Sequence, residues 1–175
     1  MPTHSAGVLL YRFRESHLEV LLVHPGGPFW ARKDTGAWSI PKGECAEGED
    51  PLDAAKRELA EETGIELNSP LVDLGAIRQP SGKIVHAWAA PQDCDPALIT
   101  SNKFTMEWPP KSGKFAEFLE VDRAAWYATR AARGKLHKGQ VGFIDKLREL
   151  LKLPPERDDE GSGREEHGPR QLDLF

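Results

Sequence analysis

The sequence predicts an α/β fold in which helices cover both sides of a mixed β-sheet. Short runs of aliphatic and β-branched residues alternate with segments of helical pattern over most of the chain. The chain has 175 residues, of which 39% are hydrophobic and 29% charged, and this composition suits a globular domain with its own core.

The elements before the main helix are predicted as strands and loops. Residues 5–14 and 18–23 have the aliphatic content of two strands. A glycine-rich loop follows at 26–36, and residues 38–43 are predicted as a short strand that ends in a tight loop.

The sequence specifies one helix, at residues 51–63, with particular clarity. Asp50 is a good N-cap, Pro51 suits the first helical position, and Gly64 provides a C-terminal stop. Apolar residues at helical spacing form the stripe expected to face the core, namely Leu52, Ala55 and Leu59, and Thr63 is a candidate for extending it.

The second half of the chain completes the predicted sheet. Strands are expected at 71–79 and 84–90 around a turn at 80–82, with a weaker strand at 104–108 that ends at two prolines. Two further helices are expected at 123–133 and 141–151.

Three carboxylates share one face of the predicted main helix. Glu58, Glu61 and Glu62 stand at i, i+3 and i+4, where helical side chains are neighbours. Three anions in such a row repel one another, and a hard divalent cation with oxygen ligands would reverse the sign of that energy. Arg57 adjoins the row and can hold one carboxylate with a forked hydrogen bond.

The segment from Gly43 to Ile65 resembles the Nudix box, G-x5-E-x7-R-E-U-x-E-E-x-G-U, in which U is a bulky aliphatic residue. All nine specified positions match: Gly43, Glu49, Arg57, Glu58, Leu59, Glu61, Glu62, Gly64 and Ile65. Residues 24–30, 38–43 and 118–126 further resemble a MutT-like bacterial Nudix subfamily described as predicted NTP pyrophosphohydrolases. The resemblance extends over residues 3–150 and implies the Nudix α/β/α sandwich.

This resemblance implies a metal-dependent pyrophosphohydrolase. The expected substrate is a nucleoside polyphosphate, either an NTP or a dinucleoside polyphosphate, and the expected cofactor is Mg²⁺ or Mn²⁺. Glu58, Glu61, Glu62 and the carbonyl of Gly43 are the implied metal ligands. Glu58 is also the implied base, with Arg57 orienting the cluster and Glu49 supporting it. Some family members use a later carboxylate as the base, for which Glu107, Glu117 and Glu120 all remain candidates.

Substrate contacts are less sharply specified. Lys42 is a candidate for holding a phosphate, and Phe29 and Trp30 are candidates for stacking a base, whereas core packing is the better explanation for Trp88. Two alternatives stay open: a Nudix-fold nucleotide-binding module that has lost catalysis, and an ADP-ribose or nucleotide-sugar pyrophosphatase. The intact carboxylate row favours an enzyme over the inactive module.

Composition changes after residue 153, which divides the chain into a predicted domain at 1–153 and a flexible tail at 154–175. Residues 154–170 contain no aliphatic or aromatic side chain, so the tail is expected to be disordered. The tail has seven acidic and three basic residues, and the whole chain has a net charge of −5. The domain is therefore near neutral and lacks the basic surface expected of a protein that binds nucleic acid directly.

The tail ends in an apolar pentapeptide that resembles the motif with which bacterial replication and repair proteins bind the DNA polymerase sliding clamp. All five positions match that motif: Gln171, Leu172, Asp173, Leu174 and Phe175. The resemblance implies the clamp as a partner and nucleotide-pool sanitation, a form of DNA repair, as a context. A terminus that folds back onto its own domain is the alternative.

The remaining composition predicts a cytoplasmic protein. Cys45 and Cys94 lack the spacing of a disulfide scaffold or a zinc site. No apolar run approaches the length of a membrane span, so no membrane contact is expected.

Overall fold

A six-stranded mixed sheet forms the centre of the protein in the computed structural model, which describes residues 3–156. In chain order the strands are β1 (His4–Arg14), β2 (His17–Pro25), β3 (Lys42–Glu44), β4 (Val72–Arg78), β5 (Ile84–Pro91), β6 (Lys103–Glu107), β7 (Phe115–Leu119) and β8 (Val121–Ala128). Strands β6 and β7 form a separate antiparallel hairpin.

The order of the main sheet is β4-β5-β1-β2-β8, with β3 added beside β1. Strands β1 and β5 are parallel, with Val8 opposite Trp88, whereas the other pairs are antiparallel. The sheet is therefore mixed, as predicted.

The sheet opens between β1 and β2. The end of β1 pairs with β2 from Tyr11 to Arg14, but its start pairs with β3 from Ser5 to Gly7. Residues 38–41 fill the space between the two pairings, with hydrogen bonds from Val23 N–H to the Ser39 carbonyl and from Val8 N–H to the Pro41 carbonyl. This opening brings loop backbone close to the helix that follows it.

Alternating residues of β1 bury side chains on both faces of the sheet. Ala6, Val8 and Leu10 pack on one face with Leu59 of the first helix, and Leu9 packs on the other face with Phe143 of the last helix. All six side chains are fully buried. The two-residue period of a strand thus divides the core into two layers.

Three helices flank the sheet: α1 (Pro51–Thr63), α2 (Thr129–Lys135) and α3 (Gly142–Leu150). Helix α1 packs on β1, and α3 packs on β4 from the opposite face. The α/β class with helices on both sides of a mixed sheet is confirmed, and so are the helices predicted at 51–63 and 141–151.

The structure corrects three predicted elements. The helix expected at 123–133 is a strand as far as Ala128, because residues 121–128 pair with β2 and this pairing outweighs their alanine-rich helical propensity. The strand expected at 38–43 is shifted to Lys42–Glu44, with only isolated bridges at Trp38 and Ser39. Strand β7 was not predicted as a separate element, although it pairs along its whole length with β6.

The described chain continues in contact with the domain beyond α3. Arg148 donates to the carbonyl of Pro154, and Glu156 accepts hydrogen bonds from Thr129 and Arg133. The boundary placed after residue 153, and the disorder expected of the tail, stay predictions. No helix within residues 3–156 has the length and apolar character needed to cross a membrane.

Candidate functional site

Helix α1 presents the carboxylate row at the opening of the sheet. The helix begins after Asp50, whose carbonyl accepts the N–H of Ala54, and it ends at Gly64, which has a φ of 76° and donates to the Ala60 carbonyl. Ala55 and Leu59 are fully buried against the sheet. This packing fixes the rotation of the helix, so that the row of glutamates faces β3 and the later loops.

Arg57 holds the row together. Its Nε and Nη2 donate to the two carboxylate oxygens of Glu49, at 2.9 and 3.0 Å. Its Nη1 donates to Glu58 at 2.8 Å and to Glu61 at 3.1 Å, and Nη2 also reaches the carbonyl of Glu44. One guanidinium therefore connects three carboxylates and the backbone of β3, a geometry that a planar fork suits.

Glu49 binds both Arg57 and the loop before α1. It accepts the N–H of Ala46 at 2.9 Å in addition to the fork of Arg57. The Arg57 hydrogen bonds, together with that of Ala46, lower the pKa of Glu49 to about 2. The residue is thus an ionised anchor for Arg57.

Glu58 sits against the backbone of Gly43. Its side chain is largely buried, and burial raises the pKa of its carboxyl group, an effect that Arg57 opposes. A Cβ placed on Gly43 would meet the carboxyl group of Glu58 at 2.1 Å, so only glycine allows this approach. The Gly43 position of the box therefore has a steric role in placing Glu58.

Glu62 turns toward the loop before β3 and accepts the N–H of Lys42 at 3.1 Å. Burial raises the pKa of Glu62 to about 8, while the Lys42 ammonium acts in the opposite direction. Burial also lowers the pKa of Lys42, and the nearby ammonium of Lys83 lowers it further. Lys42 thus adjoins Glu62, and Lys83 lies beside Lys42, although Lys83 was not among the residues selected from the sequence.

The structure distinguishes the three carboxylates that were candidates for the later base. Burial and the nearby charge of Glu61 raise the pKa of Glu120, which therefore lies at the row. Glu107 instead accepts the N–H groups of Lys111 and Gly113 in the turn of the β6–β7 hairpin. Glu117 lies on β7 opposite Thr105. Of the three, the structure thus brings Glu120 to the site.

Backbone hydrogen bonds fix the position of Glu120. Its N–H donates to the carbonyl of Asn102, and its own carbonyl accepts the N–H of Gly26. Asn102 N–H donates in turn to the carbonyl of Glu61 on α1. Loops from three parts of the chain therefore meet at the C-terminal half of α1.

The residues of the site fit a hard divalent cation by their chemistry. Within residues 3–156 no three His, Cys, Asp or Glu side chains converge closely enough to hold a metal ion as they stand. Arg57 and the Lys42 amide bind the carboxylates instead. The donors are nevertheless all oxygens, and the mutual repulsion of Glu58, Glu61, Glu62 and Glu120 is the kind that a divalent cation relieves. Their roles as ligands stay predictions.

The aromatic residues expected near the site have different surroundings. Phe29 is 57% exposed and contacts Trp108, whereas the exposed ring of Trp30 lies 5.0 Å from the ammonium of Lys33. Trp88 is buried and stacks on His86. Trp108 was not selected from the sequence, because its contact with Phe29 arises only from folding.

The NUDIX domain family model matches residues 1–147, which is most of the chain. The chain belongs to the Nudix family. The match confirms the assignment of this chain to the Nudix hydrolases, which was made from the box.

Two relatives show local similarity. An octanoyltransferase from Myxococcus xanthus is 33% identical over 110 residues, which cover 62% of this Nudix chain and 26% of the relative. An RNA pyrophosphohydrolase from Caulobacter vibrioides (strain NA1000 / CB15N) is 49% identical over 51 residues, which cover 26% of this chain and 30% of the relative. The Nudix chain thus spans less than a third of the length of these relatives.

Among solved structures, an Ap4A hydrolase binary complex from C. elegans has a TM-score of 0.62 at 21% identity. The match covers 85% of this Nudix chain and 98% of that chain. This similarity supports the fold. The pentapeptide Gln171, Leu172, Asp173, Leu174 and Phe175, expected to bind a partner, lies outside the described residues.

Proposed function

We propose that this Nudix protein is a metal-dependent pyrophosphohydrolase that cleaves a nucleoside polyphosphate, either an NTP or a dinucleoside polyphosphate. The observation that supports this proposal most is the single guanidinium of Arg57 bound to Glu49, Glu58 and Glu61. A surface helix has no need of three acidic partners for one arginine. A site that assembles oxygen ligands around a cation does need its carboxylates held in place.

The carboxylates of α1 would hold the cofactor. Glu58, Glu61 and Glu62, with the carbonyl of Gly43, are the proposed ligands of Mg²⁺ or Mn²⁺. When bound, such an ion neutralises phosphate charge and makes a nearby water more acidic. Arg57 keeps Glu58 and Glu61 oriented, and Glu49 keeps Arg57 in place.

Glu58 is the proposed general base, which accepts a proton from the attacking water. Its position against Gly43 sets its carboxylate at the edge of the row. Glu120 is the second candidate, because it lies beside Glu61 while Glu107 is engaged in its own hairpin turn. The two assignments differ in which substitution removes the proton acceptor.

Lys42 and Lys83 are the proposed contacts for a phosphate. Lys42 follows the loop carbonyl of Pro41 and donates its backbone N–H to Glu62, which ties its position to that of the row. Lys83 directly precedes β5, which pairs with β1 on the side opposite to β3 and Lys42. Two ammonium groups near acidic ligands would counter the charge that the phosphate chain brings.

The test of this function is a screen of nucleotide substrates with Mg²⁺, with products separated by ion-exchange chromatography. We expect at least one NTP or dinucleoside polyphosphate to give a nucleotide product that has lost part of its phosphate chain. Hydrolysis of ADP-ribose or a nucleotide sugar alone would instead favour the alternative pyrophosphatase activity. Binding without hydrolysis of any compound would favour an inactive nucleotide-binding module.

We propose, from the sequence alone, that the C-terminal pentapeptide links this enzyme to the sliding clamp. The match of Gln171 to Phe175 to the clamp-binding motif supports this partner. Leu174 and Phe175 would enter an apolar pocket, and Gln171 would provide directional hydrogen bonds. Such a link would concentrate hydrolysis of damaged nucleotides where DNA is being copied.

A further inference from the structure

A fully buried histidine, His24, connects the glycine-rich loop at 26–36 to the start of β8. Its Nε2 donates to the carbonyl of Lys33 in the loop, at 2.6 Å. Its Nδ1 lies 2.8 Å from the carboxylate of Asp122 on β8. Both partners are hydrogen-bond acceptors, so both contacts are satisfied when each ring nitrogen carries a hydrogen. One side chain thus joins the loop to the strand that follows Glu120.

Asp122 is the extra residue of a β-bulge. Along β2, His24 stands opposite Arg123, and the next residue of β2 stands opposite Val121. One step along β2 therefore corresponds to two steps along β8, which leaves Asp122 unpaired in the ladder. Bulges bend a strand and redirect the side chains beside it, and this bulge lies two residues after Glu120.

His24 is well placed to hold the side chain of the bulged residue. Arg123 is the other cationic neighbour of Asp122, but its Nε lies 3.8 Å from the same carboxylate oxygen, beyond hydrogen-bond distance. The ring of Trp38 packs edge to face on His24, with centroids 5.2 Å apart, and Asp34 holds the indole N–H of Trp38 at 2.8 Å. The orientation of the imidazole is therefore fixed by packing on its face as well as by its two polar contacts.

The backbone around Glu120 is held from two sides. The N–H of Gly26, just beyond β2, donates to the carbonyl of Glu120, and the N–H of Glu120 donates to the carbonyl of Asn102. The packing at Gly26 is close, because a Cβ there would come within 1.9 Å of the Leu119 carbonyl oxygen. A change in the conformation of the bulge would therefore be transmitted to Glu120 and not absorbed by a loose segment.

The side chain of Glu120 needs such a restraint. Burial and the nearby charge of Glu61 raise the pKa of the Glu120 carboxyl group, so the two carboxylates lie close together. Like charges repel each other, and Glu120 lies at the row because its backbone directs it there.

We propose that His24 is a positioning residue for the reaction: by holding the carboxylate of Asp122, it fixes the bulge of β8 and, through the bulge, the direction of Glu120 toward the carboxylate row. This inference rests on the proposed function. It adds to the site a residue that acts only through another side chain.

Asparagine and glutamine at position 24 distinguish positioning from simple packing. The amide nitrogen of asparagine can take the place of Nδ1 and donate to Asp122, whereas that of glutamine can take the place of Nε2 and donate to Lys33. Glutamine is the larger residue and fills the buried space better, so a purely structural role predicts that His24→Gln is the milder change. Positioning of Glu120 predicts the opposite order in kcat.

The first measurement is steady-state hydrolysis of a nucleoside polyphosphate in Mg²⁺. We expect His24→Gln and Asp122→Ala to lower kcat by roughly 10- to 100-fold with little change in KM, and His24→Asn to stay close to the wild type. His86→Gln is the matched control, because His86 also binds an aspartate, Asp73 at 2.7 Å, but between β4 and β5 at the other end of the sheet. A kcat for His24→Gln as high as that of His24→Asn, or an unchanged kcat in Asp122→Ala, would overturn the inference.

Asp122→Ala keeps the test decisive even if His24→Gln fails to fold, because the side chain of Asp122 is 35% exposed. Combining Asp122→Ala with Glu120→Gln shows which residue transmits the effect. If the bulge acts through Glu120, Asp122→Ala costs nothing further once residue 120 is glutamine, so the two losses do not add. Additive losses, or a wild-type rate in Glu120→Gln beside an impaired Asp122→Ala, would contradict this route.

The free protein provides a second measurement that does not depend on hydrolysis. The ¹³C carboxyl resonance of Glu120, assigned by its absence from Glu120→Gln, should shift in His24→Gln and Asp122→Ala and keep its position in His24→Asn and His86→Gln. An unchanged resonance in every variant would overturn the inference, while the proposed function survives if the wild type hydrolyses nucleotides. If the wild type hydrolyses none, the proposed function fails, and the pattern of resonances alone decides whether His24 positions Glu120.

Discussion

The carboxyl group of Glu58 occupies the space that a side chain on Gly43 would need, with 2.1 Å between an ideal Cβ on Gly43 and the carboxyl carbon of Glu58. The glycine belongs to β3 and the glutamate to the third turn of α1, and Arg57 links the same two elements through the carbonyl of Glu44 and the carboxylate of Glu58. The requirement for glycine here is one of space and not of backbone conformation.

Gly43→Ala should therefore displace Glu58. A misplacement of about 1 Å in a catalytic group can cost about 10²-fold in rate, and we expect a loss of turnover of that order. Gly134→Ala is the matched control, because a Cβ at Gly134 meets nothing within 4 Å. Steady-state hydrolysis and thermal melting of both variants give the comparison. A Gly43→Ala enzyme with wild-type turnover would show that the contact with Glu58 has no catalytic importance.

Arg57→Lys should disorganise the row while keeping a positive charge. An ammonium group cannot reproduce the fork to Glu49 or the simultaneous bonds to Glu58 and Glu61. Loss of a residue that orients metal ligands typically costs about 10- to 100-fold, and we expect a fall in metal affinity or rate of that size.

Arg12→Lys is the control for this substitution. Arg12 also binds two carboxylates, of Glu19 and Asp93, but it lies near the end of β1, away from α1. Metal titration by calorimetry and steady-state kinetics should separate the two variants. Equal behaviour of both would show that Arg57 is an ordinary surface ion pair.

Glu58→Gln and Glu120→Gln distinguish the two candidate bases. Removal of a positioned base costs roughly 10²- to 10⁴-fold in rate, and we expect that loss in Glu58→Gln. Turnover under saturating substrate and Mg²⁺ is the measurement, with Glu117→Gln as a control carboxylate on β7. If the large loss occurs only in Glu120→Gln, the proton acceptor is Glu120 and our assignment of Glu58 is wrong.

The features predicted correctly from the sequence are those that depend on neighbouring residues. Helix α1 begins and ends where Pro51 and Gly64 predict, although the side chain of Asp50 makes no capping hydrogen bond, and its predicted core stripe is buried at Ala55 and Leu59. The spacing of the glutamates was enough to place them on one face. The fold class also followed, since alternating strands and helices leave few arrangements.

The features that the sequence did not reveal depend on distant pairing. Residues 121–128 favour a helix by composition, but β2 holds them as a strand. Glu120 could not be separated from Glu107 and Glu117 until the hairpin and the Asn102 contact placed it beside α1. Lys83 and Trp108 carry no local signal, because their proximity to Lys42 and Phe29 arises only from folding.

Deletion of Leu174 and Phe175 should abolish binding to the sliding clamp and leave hydrolysis unchanged, because the carboxylate row belongs to the domain. Docking of a short peptide loses ordering entropy, so we expect an affinity on the order of micromolar for the intact chain. Calorimetry of the purified clamp with the intact and shortened chains is the measurement. An intact chain that gives no heat at high micromolar concentration would mean that the pentapeptide is a coincidental match.

The most direct test of the proposed enzyme is the rate of nucleoside polyphosphate hydrolysis as a function of Mg²⁺ concentration in the wild type, Glu61→Gln and Glu66→Gln. Glu66 is an exposed glutamate just beyond α1 and serves as the control. Glu61→Gln keeps the shape of the side chain but removes a charge from the row, so it should need more Mg²⁺ and reach a lower rate, while Glu66→Gln follows the wild-type curve. Full hydrolysis in excess chelator, or the same Mg²⁺ dependence in Glu61→Gln as in the wild type, would contradict a metal site built on the carboxylates of α1.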